Sequence, residues 1–169
     1  MNKVIFISPM YNASNHVVDL IKSIKEQKNE NWEHIIVDDM STDDSYNLAK
    51  TCIGGDSRFK LIKNKEKKWA LKNVIEQCRK YEDNDVIIAI IDADDSLCNE
   101  NTVDIILKEY TDNLNLEALW TSHSWDINGM NISKDLPGNV NPYQYPWVSS
   151  HLKTFKSNVF KKIKKENFL

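Results

Sequence analysis

Three largely apolar runs, Val4-Ile5-Phe6-Ile7-Ser8, His34-Ile35-Ile36-Val37 and Val86-Ile87-Ile88-Ala89-Ile90-Ile91, each stop abruptly at a polar cluster. Runs with so little alternation fit strands buried on both faces, the environment of a parallel sheet covered by helices. The clusters that follow are Pro9 to Asn12, Asp38-Asp39 and Asp92 to Asp95. In open parallel sheets, ligands bind beyond the carboxyl ends of the strands. Three separate strands therefore deliver polar groups to one sheet edge, a stronger constraint than any single motif.

Helical spacing fills the intervals. Val17, Leu20, Ile21 and Ile24 recur behind Asn15, a candidate N-cap. Ser41-Thr42-Asp43-Asp44 resembles a capping box before a helix near 43–53, with Gly54-Gly55 as its stop. A strand at Phe59-Lys60-Leu61-Ile62, helices at about 68–81 and 100–111, and a strand from Leu116 to Trp125 follow. Residues 126–149, with Gly129, Pro137, Gly138, Pro142 and Pro146, predict a long loop or short hairpin over the sheet edge. From Ser149 to Leu169, Leu152, Phe155, Val159, Phe160 and Ile163 with lysines between them predict one amphipathic helix. The fold class is α/β, a mostly parallel central sheet flanked by helices and joined by right-handed crossovers.

Composition narrows the partners. A chain of 169 residues predicts a single domain. With 22 Lys and Arg against 25 Asp and Glu, it has no net-charge footprint for nucleic acid. No apolar run approaches the roughly 20 residues of a membrane span. The three cysteines, Cys52, Cys78 and Cys98, lack paired spacing. They predict buried thiols in a reducing, cytoplasmic compartment rather than disulfides or a zinc site.

The aspartates carry the chemistry. Asp92, Asp94 and Asp95 concentrate three charges that repel unless a cation or hydrogen-bond donors hold them. Hard oxygen ligands favour Mg²⁺ or Mn²⁺, whose remaining positions water and phosphate oxygens would fill. The alternative is that these residues only end a strand and cap the next helix. An EF-hand is excluded, because Leu97 stands where its loop needs Gly and Val103 where it needs Glu. Asp38 and Asp39 offer a carboxylate to a ribose hydroxyl or a base N–H. Tyr11 can stack on a base, or simply pack.

These segments, with Val4 to Asn12, Ile35 to Asp43 and Ile90 to Asp95 in order, resemble the signatures of family 2 glycosyltransferases of the Rossmann-like GT-A fold. The likeness covers about residues 3–125. It implies that residues 1–112 bind a nucleotide-diphosphate sugar, a UDP-sugar by first choice. Residues 113–169 would then supply a partial acceptor-side strand, loop and C-terminal helix. On the resemblance, Pro9, Tyr11, Asn12, Asp38, Asp39, Lys72, Asp92 and Asp94 belong to the nucleotide-sugar site, with Tyr11 against the base and Asp39 reading it. Asp92, Asp94 and Asp95 form the metal set. Lys72 is the basic residue near the donor, with Lys67 and Lys68 as substitutes, and His151 is a further candidate for metal or phosphate. The implied activity is metal-dependent, inverting sugar transfer to an acceptor hydroxyl.

Two departures stand out. Met40 replaces the Gly usual after the paired aspartates, which restricts the backbone there. No acid after Glu117, namely Asp126, Asp135 or Glu166, sits in a recognisable pattern for the catalytic base. That leaves as rivals a donor-binding module without transfer, or a truncated glycosyltransferase fragment whose partner segment lies elsewhere, and, because Asp92-Ala93-Asp94-Asp95-Ser96 superficially matches its nucleophile motif, a haloacid-dehalogenase-like phosphatase. A sugar nucleotidyltransferase would need a Gly-rich loop after the first strand. The acceptor, whether glycan, protein or lipid, and homo-oligomer formation are left open.

Overall fold

The computed structural model describes residues 2–133, 137–141, 144 and 152–163. Its sheet has six strands: β1 (Val4–Met10), β2 (Trp32–Asp38), β3 (Phe59–Lys63), β4 (Ile87–Ile90), β5 (Ala118–Trp120) and β6 (Lys153–Lys156). The order across the sheet is β3-β2-β1-β4-β6-β5. β1 pairs in parallel with β2 and β4, and β2 in parallel with β3, whereas β6 runs antiparallel to both β4 and β5. Among the described residues, four α-helices complete the framework: α1 (Val17–Lys25), α2 (Ser45–Ile53), α3 (Trp69–Cys78) and α4 (Thr102–Asp112).

Strand alternation divides the interior in two. Val4 and Phe6 of β1, Trp32 and Ile36 of β2, and Ile87 and Ala89 of β4 pack with Leu20, Ile24, Ala49 and Val103 from α1, α2 and α4. The alternate residues Ile5, Ile7, Ile35, Val37 and Ile88 pack with Val74 and Cys78 of α3 and with Phe160. Because both faces are covered, the central strands carry apolar residues at nearly every position. Each fully buried Ile or Leu contributes about 1.5–3 kcal/mol.

Several local expectations give way to tertiary contacts. α1 begins at Val17 behind His16, which makes no side-chain cap bond, so Asn15 is not its N-cap. Ser41 and Thr42 do not cap α2. The N-cap position falls on Asp44, which makes no side-chain cap bond, and Asp43 before it accepts from Ser45 N at 3.0 Å and from the Ser45 hydroxyl. Gly54 does end α2, in the left-handed region at φ 62°. The helix expected to 81 gives way to a 3-10 turn at Arg79–Tyr81. Of the thiols, only Cys78 is buried; Cys98, on the loop between β4 and α4, is exposed. A short hairpin around Gly129 carries a bridge between Ser124 and Asn131.

The largest correction is at the end of the chain. Within 149–169, the described residues form β6 and a 3-10 helix, Ser157–Lys162, rather than one amphipathic α-helix. β4 has an open edge, and β6 fills it, with Thr154 facing Tyr110 of α4 at 3.0 Å and Phe155 stacked on Phe160. The lysines between the apolar positions look alike in either periodicity, so the unpaired edge of β4 decides. β5 likewise shortens from the expected ten residues to Ala118–Trp120, the stretch that pairs with β6.

Candidate functional site

Parallel pairing brings the ends of β1, β2, β3 and β4 to one edge. Beyond β1, Pro9 is half-buried, Tyr11 is exposed and Asn12 takes φ 53°. Asn12 Oδ1 accepts from Thr42 N at 2.8 Å, and Asn12 N donates to Ser41 Oγ at 3.0 Å. Ser14 N donates to Asp43 at 3.1 Å. The polar residues after β2 therefore serve the loop after β1 as well as their own helix. Met40, where the sequence lacks Gly, adopts φ 65°, a conformation that strains any residue with a Cβ.

Asp38 and Asp39 diverge in role. Asp38 is fully buried, and its Oδ1 accepts from Ser41 N at 3.2 Å, closing the turn. Asp39, only 3% exposed, holds the next loop: Oδ1 accepts from Asn64 Nδ2 and Lys68 N, and Oδ2 from Trp69 N, each at 2.8 Å. Burial opposes its charge, but the bonds from Lys68 N, Asn64 and Trp69 N outweigh it and hold the carboxyl below the ordinary carboxylate value. Lys68, which precedes α3, has no side-chain cap bond. Asp39 therefore caps α3 from the neighbouring strand, satisfying N–H groups that no local residue serves.

The three lysines separate. Lys68 Nζ pairs with Glu76 at 2.9 Å, and Lys72 is exposed on α3. Lys67 turns inward: Nζ lies 3.8 Å from Asp39 Oδ2 and over the face of the Tyr11 ring. Tyr11, Asp39 and Lys67 thus form one cluster, to which Trp69 adds an exposed indole. Asn64 and Trp69 were not singled out by their sequence. A signal existed, since Asn64 to Lys68 is a further polar cluster directly after a strand.

Asp92 to Asp95 turn away beyond β4, with Ala93 buried and Asp95 N donating to Asp92 O at 3.2 Å. Asp94 is exposed and its carboxylate bonds to no described residue, while Asp92 and Asp95 are half-buried and already engaged. Among the described residues, no group of three or more His, Cys, Asp or Glu converges to hold a metal ion. Of the expected set of Asp92, Asp94 and Asp95, Asp94 is the exposed member. A free hard-oxygen donor at Asp94 still fits an ion that draws its other ligands from phosphate and water. His151 lies outside the described residues.

A mostly parallel sheet with acidic, aromatic and basic side chains gathered at its carboxyl edge defines an open α/β protein with a candidate ligand site at its strand ends. Comparison with known sequences makes this specific: the family model described as glycosyl transferase family 2 matches residues 5–162, and the chain belongs to that family. An uncharacterized glycosyltransferase of Rickettsia conorii is 31% identical over 175 residues, covering 94% of this chain and 27% of the relative. The chondroitin synthase of Escherichia coli is 28% identical, covering 82% of this chain and 18% of that one. Residues 1–349 of S. aureus TarS in complex with UDP-GlcNAc share the fold at TM-score 0.74 and 17% identity, over 95% of this chain and 47% of theirs. A mannosyltransferase of Pyrobaculum calidifontis, solved with GDP-Man and Mn²⁺, superposes at TM-score 0.62 with 20% identity, over 75% of this chain and 36% of its own. The GT-A fold is therefore that of this chain, which spans under half the length of each of these proteins. Family membership leaves the phosphatase and nucleotidyltransferase readings unsupported. Among the described residues, no helix is long and apolar enough to cross a membrane.

Proposed function

We propose that the chain binds a nucleotide-diphosphate sugar at the carboxyl edge of its sheet and serves transfer of that sugar to an acceptor hydroxyl. The observation that carries this reading is the convergence of Tyr11, Asp39 and Lys67, from the ends of three segments, on the sheet edge where the turn after β4 presents Asp94. Tyr11 offers a stacking face, and Asp39 Oδ2, which accepts from Trp69 N and faces Lys67 Nζ at 3.8 Å, can receive a base N–H. A UDP-sugar is the first donor to test, in line with the TarS complex. Asp94 would hold Mn²⁺ or Mg²⁺ together with diphosphate oxygens. That ion, when bound, supplies Lewis-acid neutralisation of charge on the departing diphosphate. Lys72, exposed on α3, would be the basic residue that approaches the phosphates, and inversion at the anomeric carbon is the expected outcome.

Calorimetric titration with UDP and GDP, with and without Mn²⁺, tests the reading. Nucleotide binding that strengthens with Mn²⁺, and loses that dependence in Asp94→Asn, supports it; equal affinity in the variant removes the metal assignment. Asp126, exposed, is the single described carboxylate after Glu117. That favours a second reading, a donor-binding module without turnover. Hydrolysis or transfer from UDP-GlcNAc separates the two, since the module binds without consuming it.

A further inference from the structure

The ammonium of Lys67 is enclosed by its own protein. Nζ is buried and makes no hydrogen bond among the described residues. It lies 2.7 Å from the centre of the Tyr11 ring, 5.5 Å from that of Trp69 and 3.8 Å from Asp39 Oδ2. Three N–H donors withdrawn from water with no acceptor are costly, and two ring faces and one carboxylate compensate only in part. Trp69 is unusual in its own right. Its backbone stands at φ 67°, a left-handed conformation that strains a bulky residue, yet its side chain is 72% exposed. An indole held in water on a strained backbone adds little to the core, and strain of this kind gathers at ligand sites.

The upper limit of the ring separation admits a flat ligand. Both rings face one ammonium, so their centres are at most about 8 Å apart. A heterocycle stacked between two rings needs two van der Waals gaps of about 3.5–4.0 Å each.

We propose that Lys67 is a self-ligand that fills the base subsite of the empty protein, and that Trp69 is the second stacking wall, opposite Tyr11, for the nucleobase that displaces it. This deepens the donor-binding reading above and rests on it. An entering base lies between Tyr11 and Trp69 and directs an N–H to Asp39 Oδ2. Lys67 swings out on the loop between β3 and α3 and regains its hydration. Lys67 therefore opposes nucleotide binding, and Trp69 favours it, whichever base is bound.

Titration of the whole chain with UDP, GDP and, as a base-free probe, pyrophosphate, all with Mn²⁺, tests this. Lys67→Ala is expected to bind UDP and GDP about 3- to 30-fold more tightly, the range of a desolvated cation–π contact. Trp69→Gly suits φ 67° better than the native residue, so loss of fold does not confuse its result. It is expected to bind both nucleotides at least about fivefold more weakly, the lower end for removal of a base-stacking ring. Pyrophosphate affinity stays at the wild-type value in both variants. Unchanged or weaker nucleotide binding by Lys67→Ala, or wild-type binding by Trp69→Gly, overturns the inference while leaving the donor site in place. A wild-type chain that binds neither nucleotide ends both.

Discussion

Asn12 Oδ1 receives the backbone N–H of Thr42 at 2.8 Å, and so the loop after β1 is tied to the loop after β2 across 30 residues of chain. This bond holds Tyr11 and Asp39, which flank it, in one fixed relation. Neither loop has a regular structure of its own to do so.

Asn12→Gly tests that tie, because Gly keeps φ 53° without strain and removes only the side-chain acceptor. The expected loss is about 0.5–1.5 kcal/mol, the net worth of one hydrogen bond. Urea unfolding midpoints measure it, and a variant as stable as wild type would show that this side-chain bond adds nothing to the tie between the loops.

Asp39→Asn puts an amide against donors that now meet a carboxylate. An expected loss of about 1–3 kcal/mol follows from leaving a buried donor unmatched. The pH dependence has a definite sign. The folded carboxyl sits below its ordinary value of 3.8, so the unfolded chain takes the proton first as pH falls. Its stabilisation is complete above 3.8 and is lost as pH drops through the lower folded value. Denaturation between pH 5 and 2 should show a shallower decline in the variant than in wild type.

His34 is buried among Phe6 and Phe59 with one ring nitrogen 2.8 Å from Ser8 Oγ. Burial drives its pKa from 6.5 down to about 3. The unfolded imidazole therefore binds its proton first, and stability is complete above 6.5 and falls as pH drops toward 3. The slope is at most about 1.4 kcal/mol per pH unit. His34→Phe should remove that slope while lowering stability at pH 7 by about 1 kcal/mol, since Ser8 loses its partner. An unaltered pH profile in the variant would mean that His34 takes up its proton equally in the folded and the unfolded chain.

Thr154→Val probes the seating of β6. Its hydroxyl meets Tyr110 OH at 3.0 Å in the buried layer between the sheet and α4. Substitution leaves the phenol without that partner, at an expected cost of about 1–3 kcal/mol in thermal or urea unfolding. No loss would place Thr154 outside the core.

The parallel half of the fold was legible because its signals are local. Ile5 to Ile7, Ile35 to Val37 and Ile87 to Ile90 are apolar on both faces, and Gly54 marks the end of α2. The acidic turn after β4 was legible for the same reason. The roles of individual polar residues were not. Asn15 stands at a plausible N-cap position, yet its helix starts elsewhere, and Ser41 and Thr42 bond to a loop about 30 residues away rather than to their own helix.

The amino-acid order alone therefore determined which segments become buried parallel strands and which strand ends carry aspartate. Hydrophobic runs and their polar stops act over a few neighbouring residues. Only the tertiary structure decided that Lys153–Lys156 becomes a strand, that Asp39 caps α3, and that Lys67 rather than Lys72 meets the Tyr11 ring. Each of these depends on an unpaired edge, an unsatisfied N–H or an open ring face supplied by a distant part of the chain.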